Sequence, residues 1–549
     1  MLLKLPLAVC LVAGAVCSGA QARHAMVVTR EANATEAAVS ILKSGGNAVD
    51  AAIAAGFALA VTHPAAGNIG GGGFMLIRLV DGRTTFIDFR ETAPARASHD
   101  MYAGQARASV DGWRASGVPG TVRGFELASK KYGKKPWAEL IAPAIALAAR
   151  GFPVSAALAA GLKDQAPRLS LYPDSKRIFL KNGHFYSPNE YLSQPELAIT
   201  LERIARGGAK EFYEGDIARR LAASMTSRGG LITLDDLRSY KAVERAPLTG
   251  SYRGYDIISA PPPSSGGIGL LEILGILEGT DYAKHGAGSA GEIHYTAEAM
   301  RRFFADRSEY LGDPDFVRVP VAGLLDKRYL AGLRKSIDPE RATPSARLKP
   351  GRLAAAAESA QTTHYSIVDA AGNAVAVTYT LNGSYGSGVT APGLGFLLNN
   401  EMDDFAARPG SPNMFGLLQG EANAIAPGKR PLSSMTPTIV LRGGKLYLVV
   451  GSPGGPRIIP AVLEVIQNVL DFKMDIQEAV ARPRFHHQWL PDVLLLEQGI
   501  PREVADELRA RGHNTERIRS MGEVAAILVQ DGRLEGAADP RAEGKASGY

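Results

Sequence analysis

The stretch QTTHYSIVDAAGNAVAVTYT, residues 361–380, decides the fold. Apolar and polar side chains alternate over residues 364–368 and again over residues 374–380, on either side of the turn-forming AAGN at 370–373. Alternation with a period of two around such a turn predicts the two strands of a β-hairpin. A sheet therefore starts at Thr362 or Thr363.

The segment before this hairpin, residues 343–361, is rich in Ala with scattered Ser, Pro and Arg, and it has no steady helical or strand period. Such a composition predicts an exposed stretch that could move or be cut. Thr362 stands at its end, and we expect this threonine to be exposed at the start of the strand.

Outward from this hairpin, strands and helices alternate. Two further hairpins are predicted at residues 74–89 and 437–451, and the first delivers Arg90 at its end. Capping residues and apolar periodicity predict helices at residues 33–44, 48–61 and 457–470. The middle, residues 125–342, is predicted to be mostly helical, with a turn at PPPSSGG, residues 261–267. Hairpin pairs favour an α+β fold of stacked antiparallel sheets covered by helices.

Composition excludes several protein classes. The chain has 549 residues, of which 46% are hydrophobic and 21% charged, as in globular rather than disordered proteins. One or two large core regions are expected. The net charge of +6 is spread along the chain, and no aromatic-interleaved basic stripe accompanies the densest basic cluster, at residues 130–135. No nucleic-acid partner is therefore expected.

The N-terminus has the pattern of a secretory signal. Lys4 supplies the positive charge, residues 5–16 the apolar stretch, and small residues allow cleavage after Ala20 or Ala22. We assign residues 1–22 to a signal peptide and expect a periplasmic or secreted protein. Both cysteines, Cys10 and Cys17, lie inside it, so the mature chain would hold no thiol nucleophile. No later run is long and apolar enough to predict a membrane span.

Common cofactor and metal motifs are missing. His486 and His487 are adjacent, so on one strand they would point to opposite faces, and no zinc spacing is present. The glycine run at residues 70–73 lacks the strand, helix and acidic residue of a dinucleotide site and predicts a tight loop instead. No cofactor and no metal are expected.

Several motifs together resemble the γ-glutamyltransferase family, in order and over residues 25–549. They are QTTHYSIVD at 361–369, TLN at 380–382, LNNEMDDF at 398–405, PLSSM at 431–435, GSPGG at 451–455, THP at 62–64, GFM at 73–75 and DFRE at 88–91. The resemblance implies an N-terminal nucleophile hydrolase with a four-layer αββα sandwich. It also implies that the precursor cleaves itself before Thr362, which gives a heterodimer of a large subunit, 23–361, and a small catalytic subunit, 362–549.

The resemblance assigns the chemistry to four residues. Thr362 would be the nucleophile, and its freed α-amine, with a reference pKa of about 7.7–8.0, would serve as its general base. Thr380 would hydrogen-bond and tune the nucleophile. Gly454 and Gly455 would aim backbone N–H groups at the oxyanion, where glycine permits close approach.

The resemblance also implies how the donor's amino acid head is held. Arg90, with Ser433 and Ser434, would hold the α-carboxylate, since a guanidinium fork matches a carboxylate. The α-ammonium would be held by Asn382, Glu401 and Asp404. Asp403 is expected to point the other way on a strand and to be structural.

The implied substrates are glutathione and other γ-glutamyl compounds, with water, amino acids or dipeptides as acceptors. Residues 409–420 resemble the lid loop of the family, but Phe415 stands where several relatives have a tyrosine, and it has no hydroxyl to tie the lid down. Two alternatives remain open: an acylase acting on β-lactam side chains, and an exported solute-binding protein that captures γ-glutamyl compounds without turnover.

Overall fold

A computed structural model describes residues 19–105, 107–348, 362–406, 412–417 and 419–549. Most of the assigned signal peptide and the end of the Ala-rich segment, residues 349–361, lie outside these ranges. The strands are β1 Ala20–Ala22, β2 Met26–Thr29, β3 Gly72–Arg78, β4 Thr84–Asp88, β5 Phe152–Pro153, β6 Tyr191–Leu192, β7 Val243–Arg245, β8 Leu248–Tyr252, β9 Tyr255–Ser259, β10 Thr363–Val368, β11 Ala374–Thr380, β12 Thr438–Arg442, β13 Lys445–Gly451, β14 Phe485–His486, β15 Leu494–Glu497, β16 Thr515–Ile518, β17 Ala525–Gln530, β18 Arg533–Ala538 and β19 Lys545–Gly548.

Helices occupy much of the remaining chain. They are α1 Ala32–Lys43, α2 Ala48–Thr62, α3 Thr121–Tyr132, α4 Trp137–Arg150, α5 Ala156–Asp164, α6 Ala166–Leu169, α7 Pro173–Phe179, α8 Pro195–Gly207, α9 Ala209–Tyr213, α10 Asp216–Ser227, α11 Leu234–Ser239, α12 Gly266–Leu277, α13 Ala290–Tyr310, α14 Val321–Leu324, α15 Lys327–Lys335, α16 Ile458–Leu470, α17 Ile476–Ala481 and α18 Arg502–Ala510. Among the described residues, no helix is both long and apolar enough to cross a bilayer.

Two seven-stranded sheets form the centre of the molecule. One has the order β1-β18-β17-β13-β12-β9-β8 and the other β19-β2-β10-β11-β3-β4-β7, and neighbouring strands in both are antiparallel. The sheets pack face to face through β10 and β11 against β13 and β17. Helix α2 covers the second sheet, and α12 and α16 cover the first. This four-layer αββα arrangement confirms the expected fold.

The sequence predictions hold best for the segments around Thr362. The hairpin of β10 and β11 pairs Thr363 with Tyr379 and Val368 with Ala374. The other two predicted hairpins form as β3–β4 and β12–β13. Strands β8 and β9 were not predicted, because they lie in the mostly helical middle of the chain. They complete the edge of the first sheet.

The glycine run at residues 70–73 explains how β3 fits beside β11. A Cβ at Gly71 would lie 2.2 Å from the carbonyl oxygen of Thr380, and a Cβ at Gly70 would lie equally close to that of Leu397. Real Cβ atoms do not approach a backbone oxygen so closely. The run is therefore the predicted close-approach loop, and it brings the first part of the chain to the end of β11.

Candidate functional site

Thr362 lies immediately before β10 and is buried, with 5% of its surface exposed. The expectation of an exposed strand start is wrong for this chain, since Thr362 is almost fully buried where it borders two cavities. The register that pairs Thr363 with Tyr379 brings Thr362 opposite Thr380. Thr380 also accepts a hydrogen bond on Oγ1 from the backbone N–H of Asn382, at 2.8 Å.

The first cavity is lined by most of the residues that the sequence marked out. Its walls include Thr362, Thr380, Arg90, Asn382, Asp404, Ser433, Ser434 and Gly455. Glu401 contacts this group through Arg90, and Gly454 lines a second cavity that also borders Thr362. The structure thus gathers all the predicted site residues around one threonine.

Arg90 is the centre of a buried charge cluster. The Nη1 atom of its guanidinium lies 2.7 Å from Glu401 and 3.7 Å from Glu91, and Nη2 donates to Asp404. The Nε atom donates to the carbonyl of Pro431 at 3.3 Å. Burial acts to lower the pKa of Arg90, but the three carboxylates outweigh it and raise the pKa above its usual value.

The same burial acts on the acidic residues around Arg90. It raises the pKa of Glu91 to about 8 and the pKa of Glu401 well above its usual range, despite the attraction of Arg90. Glu401 is in ion-pair contact with Arg90 at 2.7 Å, but the carboxylate oxygens of Glu91 and Glu401 have no hydrogen-bond partner of good geometry among the described residues. The cluster can therefore hold protons near neutral pH, and an entering cation would favour the ionised carboxylates.

The acidic residues lie on a single turn rather than on a strand. Glu401–Asp404 form a 3₁₀ helix, so the expected strand position of Asp403 is wrong. The structural role expected for Asp403 fits its contacts, because it accepts hydrogen bonds from the hydroxyl of Ser109 and from the N–H of Met414. The latter bond, at 2.8 Å, ties the described part of the lid segment to the site.

The PPPSSGG turn positions the serine pair Ser433 and Ser434. The backbone N–H and the hydroxyl of Ser265 both donate to the carbonyl of Ser433, at 2.8 and 2.7 Å. Ser433 in turn donates its N–H to Pro263 at 2.9 Å. A turn that the sequence marked only as a break between helices therefore fixes one wall of the cavity.

Gly454 and Gly455 have backbone conformations that favour glycine, with φ of 136° and 55°. Neither N–H donates a hydrogen bond to another residue in the part of the chain that the structure describes. Gly455 lines the first cavity and Gly454 the second, and Thr362 borders both. Two such N–H groups can stabilise an oxygen that gains negative charge.

The second cavity also borders Thr362. It is lined by Pro453, Gly454, Arg457 and residues 520–523. Glu523 in its wall is paired with Arg30, whose Nη2 donates to Oε1 at 2.7 Å. This cavity is polar and charged.

Phe415 lies over the first cavity and is buried, with 4% exposed. Its carbonyl accepts a hydrogen bond from Gln488 at 3.2 Å. Residues 409–411 and 418 of the lid segment lie outside the described ranges. Phe415 lines the cavity and has no hydroxyl with which to make a hydrogen bond across it.

The histidine pair is structural where the structure describes it. His486 bonds to Gln488 at 2.9 Å and His487 to Asp492 at 3.2 Å. Burial lowers the pKa values of His486 and His487 to about 3 and 4. Across the described ranges, no group of three or more His, Cys, Asp or Glu side chains is arranged to hold a metal ion.

A family model described as gamma-glutamyltranspeptidase matches residues 34–549. The chain belongs to the γ-glutamyltranspeptidase family. A relative named glutathione hydrolase proenzyme, from Escherichia coli (strain K12), is 52% identical over 95% of this chain and 91% of its own. Like other members of the γ-glutamyltranspeptidase family, the chain has the αββα fold of the N-terminal nucleophile hydrolases.

Two solved structures support this assignment. The Helicobacter pylori gamma-glutamyltranspeptidase is 47% identical, with a TM-score of 0.57, and the match covers 58% of this chain and 94% of that one. A cephalosporin acylase from Bacillus halodurans is 27% identical, with a TM-score of 0.89 over 100% and 99% of the two chains. The γ-glutamyltranspeptidase fold is thus shared with an acylase, and the residues around Thr362 must distinguish the two activities.

Proposed function

We propose that this chain is a γ-glutamyltransferase and glutathione hydrolase that becomes active when it cuts itself before Thr362. The observation that carries the proposal is the cavity in which Thr362 faces a guanidinium and carboxylates, the charges that complement an amino acid head. The name of the E. coli relative, glutathione hydrolase proenzyme, supports both parts of the proposal.

Self-cleavage would begin with attack of the Thr362 hydroxyl on the carbonyl of Gln361, a residue outside the described ranges. The peptide nitrogen leaves as the α-amine of Thr362, and water then hydrolyses the resulting ester. The products are a large subunit, 23–361, and a small subunit, 362–549. The amine that was a peptide nitrogen becomes the general base of the active enzyme.

Turnover follows a ping-pong route. The α-amine of Thr362 takes the hydroxyl proton as Oγ attacks the γ-carbonyl of the donor, and the N–H groups of Gly454 and Gly455 stabilise the oxyanion. The leaving amine takes the proton, and a γ-glutamyl ester of Thr362 remains. Water or the amine of an amino acid or dipeptide then removes the γ-glutamyl group. Thr380, opposite Thr362, orients the nucleophile.

The donor's α-carboxylate binds Arg90, Ser433 and Ser434, and its α-ammonium binds Asn382, Glu401 and Asp404. Arg90 is already paired with both acidic residues in the unliganded site. The donor's zwitterionic head brings a carboxylate for Arg90 and an ammonium for Glu401 and Asp404. Its two charges cancel, so the net charge of the site does not change when the donor binds. The pairing thus keeps the site organised before the donor arrives.

The second cavity is the site from which the acceptor approaches, because it borders Thr362 and Gly454 and contains none of the residues assigned to the donor's amino acid head. We further propose export through the assigned signal peptide to the periplasm or the exterior. Residues 20–22 pair with β18 as strand β1, so cleavage after Ala22 would remove this edge strand, whereas cleavage after Ala20 would retain two of its residues.

Acylase activity on β-lactam side chains is the second candidate, favoured by the likeness to the B. halodurans enzyme. The carboxylates of Glu401 and Asp404 beside Arg90 weigh against it, because they suit an α-ammonium that a glutaryl side chain lacks. Comparison of kcat/KM for glutathione and for a glutaryl β-lactam separates the two. A solute-binding protein would remain one uncleaved chain and would release its ligand unchanged.

The decisive experiment is replacement of Thr362. Thr362→Ala should accumulate as one uncleaved chain without activity, and Thr362→Ser should cleave more slowly, since serine lacks the methyl group that restricts χ1. Denaturing gels with N-terminal sequencing of the small band, and glutathione turnover, measure both steps. Thr363→Ser is the matched control and should cleave normally. Two subunits and full activity in Thr362→Ala would refute the proposal.

A further inference from the structure

Arg307 lies on helix α13, far in the sequence from the motifs that marked the site, yet it lines the first cavity. Only 2% of the residue is exposed. Its Nε donates to the hydroxyl of Ser265 at 3.0 Å, and its Nη2 donates to the hydroxyl of Ser434 at 3.2 Å. The Nη1 atom is buried and has no hydrogen-bond partner among the described residues.

The two arginines of the cavity differ in how well their charges are balanced. Arg90 has Glu401, Asp404 and Glu91 around it. Burial lowers the pKa of Arg307 to about 10, and Asp404 is the charge that opposes this effect. A buried cation with an unused donor is costly unless a counter-charge completes its site. The place in the cavity that most lacks an anion is therefore beside Arg307.

The hydrogen bonds of Arg90 support the same conclusion. Its Nε, Nη1 and Nη2 atoms already face Pro431, Glu401 and Asp404. Each of the three nitrogens of Arg90 therefore already has an acceptor, and an entering carboxylate would share them. Arg307, in contrast, has a free Nη1 and also holds Ser434, one of the two hydroxyls assigned to the donor's carboxylate.

We infer that Arg307 is a second carboxylate-binding residue of the donor pocket, with Nη1 bonded to the α-carboxylate of the γ-glutamyl group and Nη2 holding Ser434 beside it. The inference rests on the proposed function and adds a specificity determinant to it. Arg307 thus acts beside Arg90, Ser433 and Ser434, and Arg90 also holds the acidic residues that receive the α-ammonium. Donors that lack a free α-carboxylate are discriminated against at Arg307.

The test compares two donors, γ-glutamyl-4-nitroanilide and its α-carboxamide analogue, in Arg307→Gln and Arg307→Lys. For Arg307→Gln, kcat/KM should fall by about 30-fold or more with the carboxylate donor, mostly through KM, as for loss of a buried charged partner. The carboxamide donor should change by less than about 3-fold, since it offers no charge to pair. Arg307→Lys keeps a point charge without the fork and should lie between the two.

Arg302→Lys is the matched control. Arg302 is equally buried on α13, but it pairs with Glu298 and bonds to Ser336 away from the cavity. Arg302→Lys should keep the wild-type ratio of kcat/KM for the carboxylate donor to kcat/KM for the carboxamide donor, even if the variant is less stable. If Arg307→Gln fails to fold or to cleave, the same kinetic comparison is made with Arg307→Lys. Calorimetric titration of that variant with L-glutamate and with its α-carboxamide then compares the two Kd values directly.

An unchanged carboxylate-to-carboxamide ratio in the folded, cleaved Arg307 variants would overturn the inference and leave the proposed function intact. A parallel loss for both donors would also overturn it, because a structural role affects both alike. Wild-type protein that turns over neither donor would instead refute the proposed function itself.

Discussion

The imidazole of His364 lies directly against the backbone of Gly451: a methyl group at position 451 would be 2.2 Å from the ring's Cε1. His364 belongs to β10, two residues after Thr362, and Gly451 ends β13, three residues before Gly454. The ring also contacts Thr378 at 2.8 Å and Ser366 at 3.1 Å. This contact therefore sets the spacing between the strand that carries the nucleophile and the strand that leads to the N–H groups.

Gly451→Ala should push these two strands apart. We expect kcat to fall on the order of 10²-fold, because small displacements of reacting groups are costly, together with a lower Tm. Gly332→Ala, on helix α15 with open space around it, is the control and should be neutral or stabilising. Adding His364→Ala to Gly451→Ala should recover Tm, since it removes the ring. Normal turnover by Gly451→Ala would show that this spacing does not matter.

Arg90→Ala should affect binding and stability together. It leaves Glu401 and Asp404 without their cation, so we expect a loss of about 2–5 kcal/mol in donor binding and a lower free energy of unfolding. Steady-state kinetics with glutathione and urea unfolding measure the two effects. Self-cleavage should persist, because Arg90 does not touch the bond before Thr362. An unchanged KM for glutathione would contradict the proposed carboxylate and ammonium sites.

Glu91→Gln should change how stability depends on pH. The folded-state pKa of Glu91, about 8, lies above its usual value of about 4.5. The contribution of Glu91 to the free energy of unfolding is therefore complete below about pH 4.5, where the carboxyl is protonated, and is lost as the pH rises through 8. The Tm of the variant relative to wild type should therefore increase between pH 5 and pH 8. Glu36→Gln, at a side chain that is 55% exposed, is the control. A constant Tm difference across this range would argue against a buried proton on Glu91.

Phe415→Tyr tests closure of the lid segment. The added hydroxyl can donate to the side-chain oxygen of Asn382, which lines the same cavity, and so hold the lid over the γ-glutamyl ester. We expect the ratio of transfer to hydrolysis to rise with a good amine acceptor such as glycylglycine. Phe415→Leu keeps an apolar side chain without the hydroxyl and should not raise it. Equal partitioning in Phe415→Tyr and wild type would exclude this position as a control of closure.

The sequence predicts those helices and hairpins whose hydrophobic periodicity and capping residues lie within a few positions of one another. Asn47 shows why: its side chain caps α2 together with Asp50, three residues away, so the signal lies within one turn. Arg307 shows the opposite case. Its partners Ser265 and Ser434 come from distant segments, and helix α13 is buried nearly all round, so no periodicity distinguishes a cavity-lining arginine from a solvated one. Only packing reveals it.

Strand β2, at residues 26–29, lies between β19 and β10, both of which come from the proposed small subunit. Once the chain is cut before Thr362, each product is interleaved with the other inside the same sheet. Simple dilution should then not separate them, since separation requires breaking the sheet. Refolding, however, becomes a bimolecular encounter instead of a unimolecular one. We expect the cut enzyme to be long-lived once folded but hard to recover after denaturation.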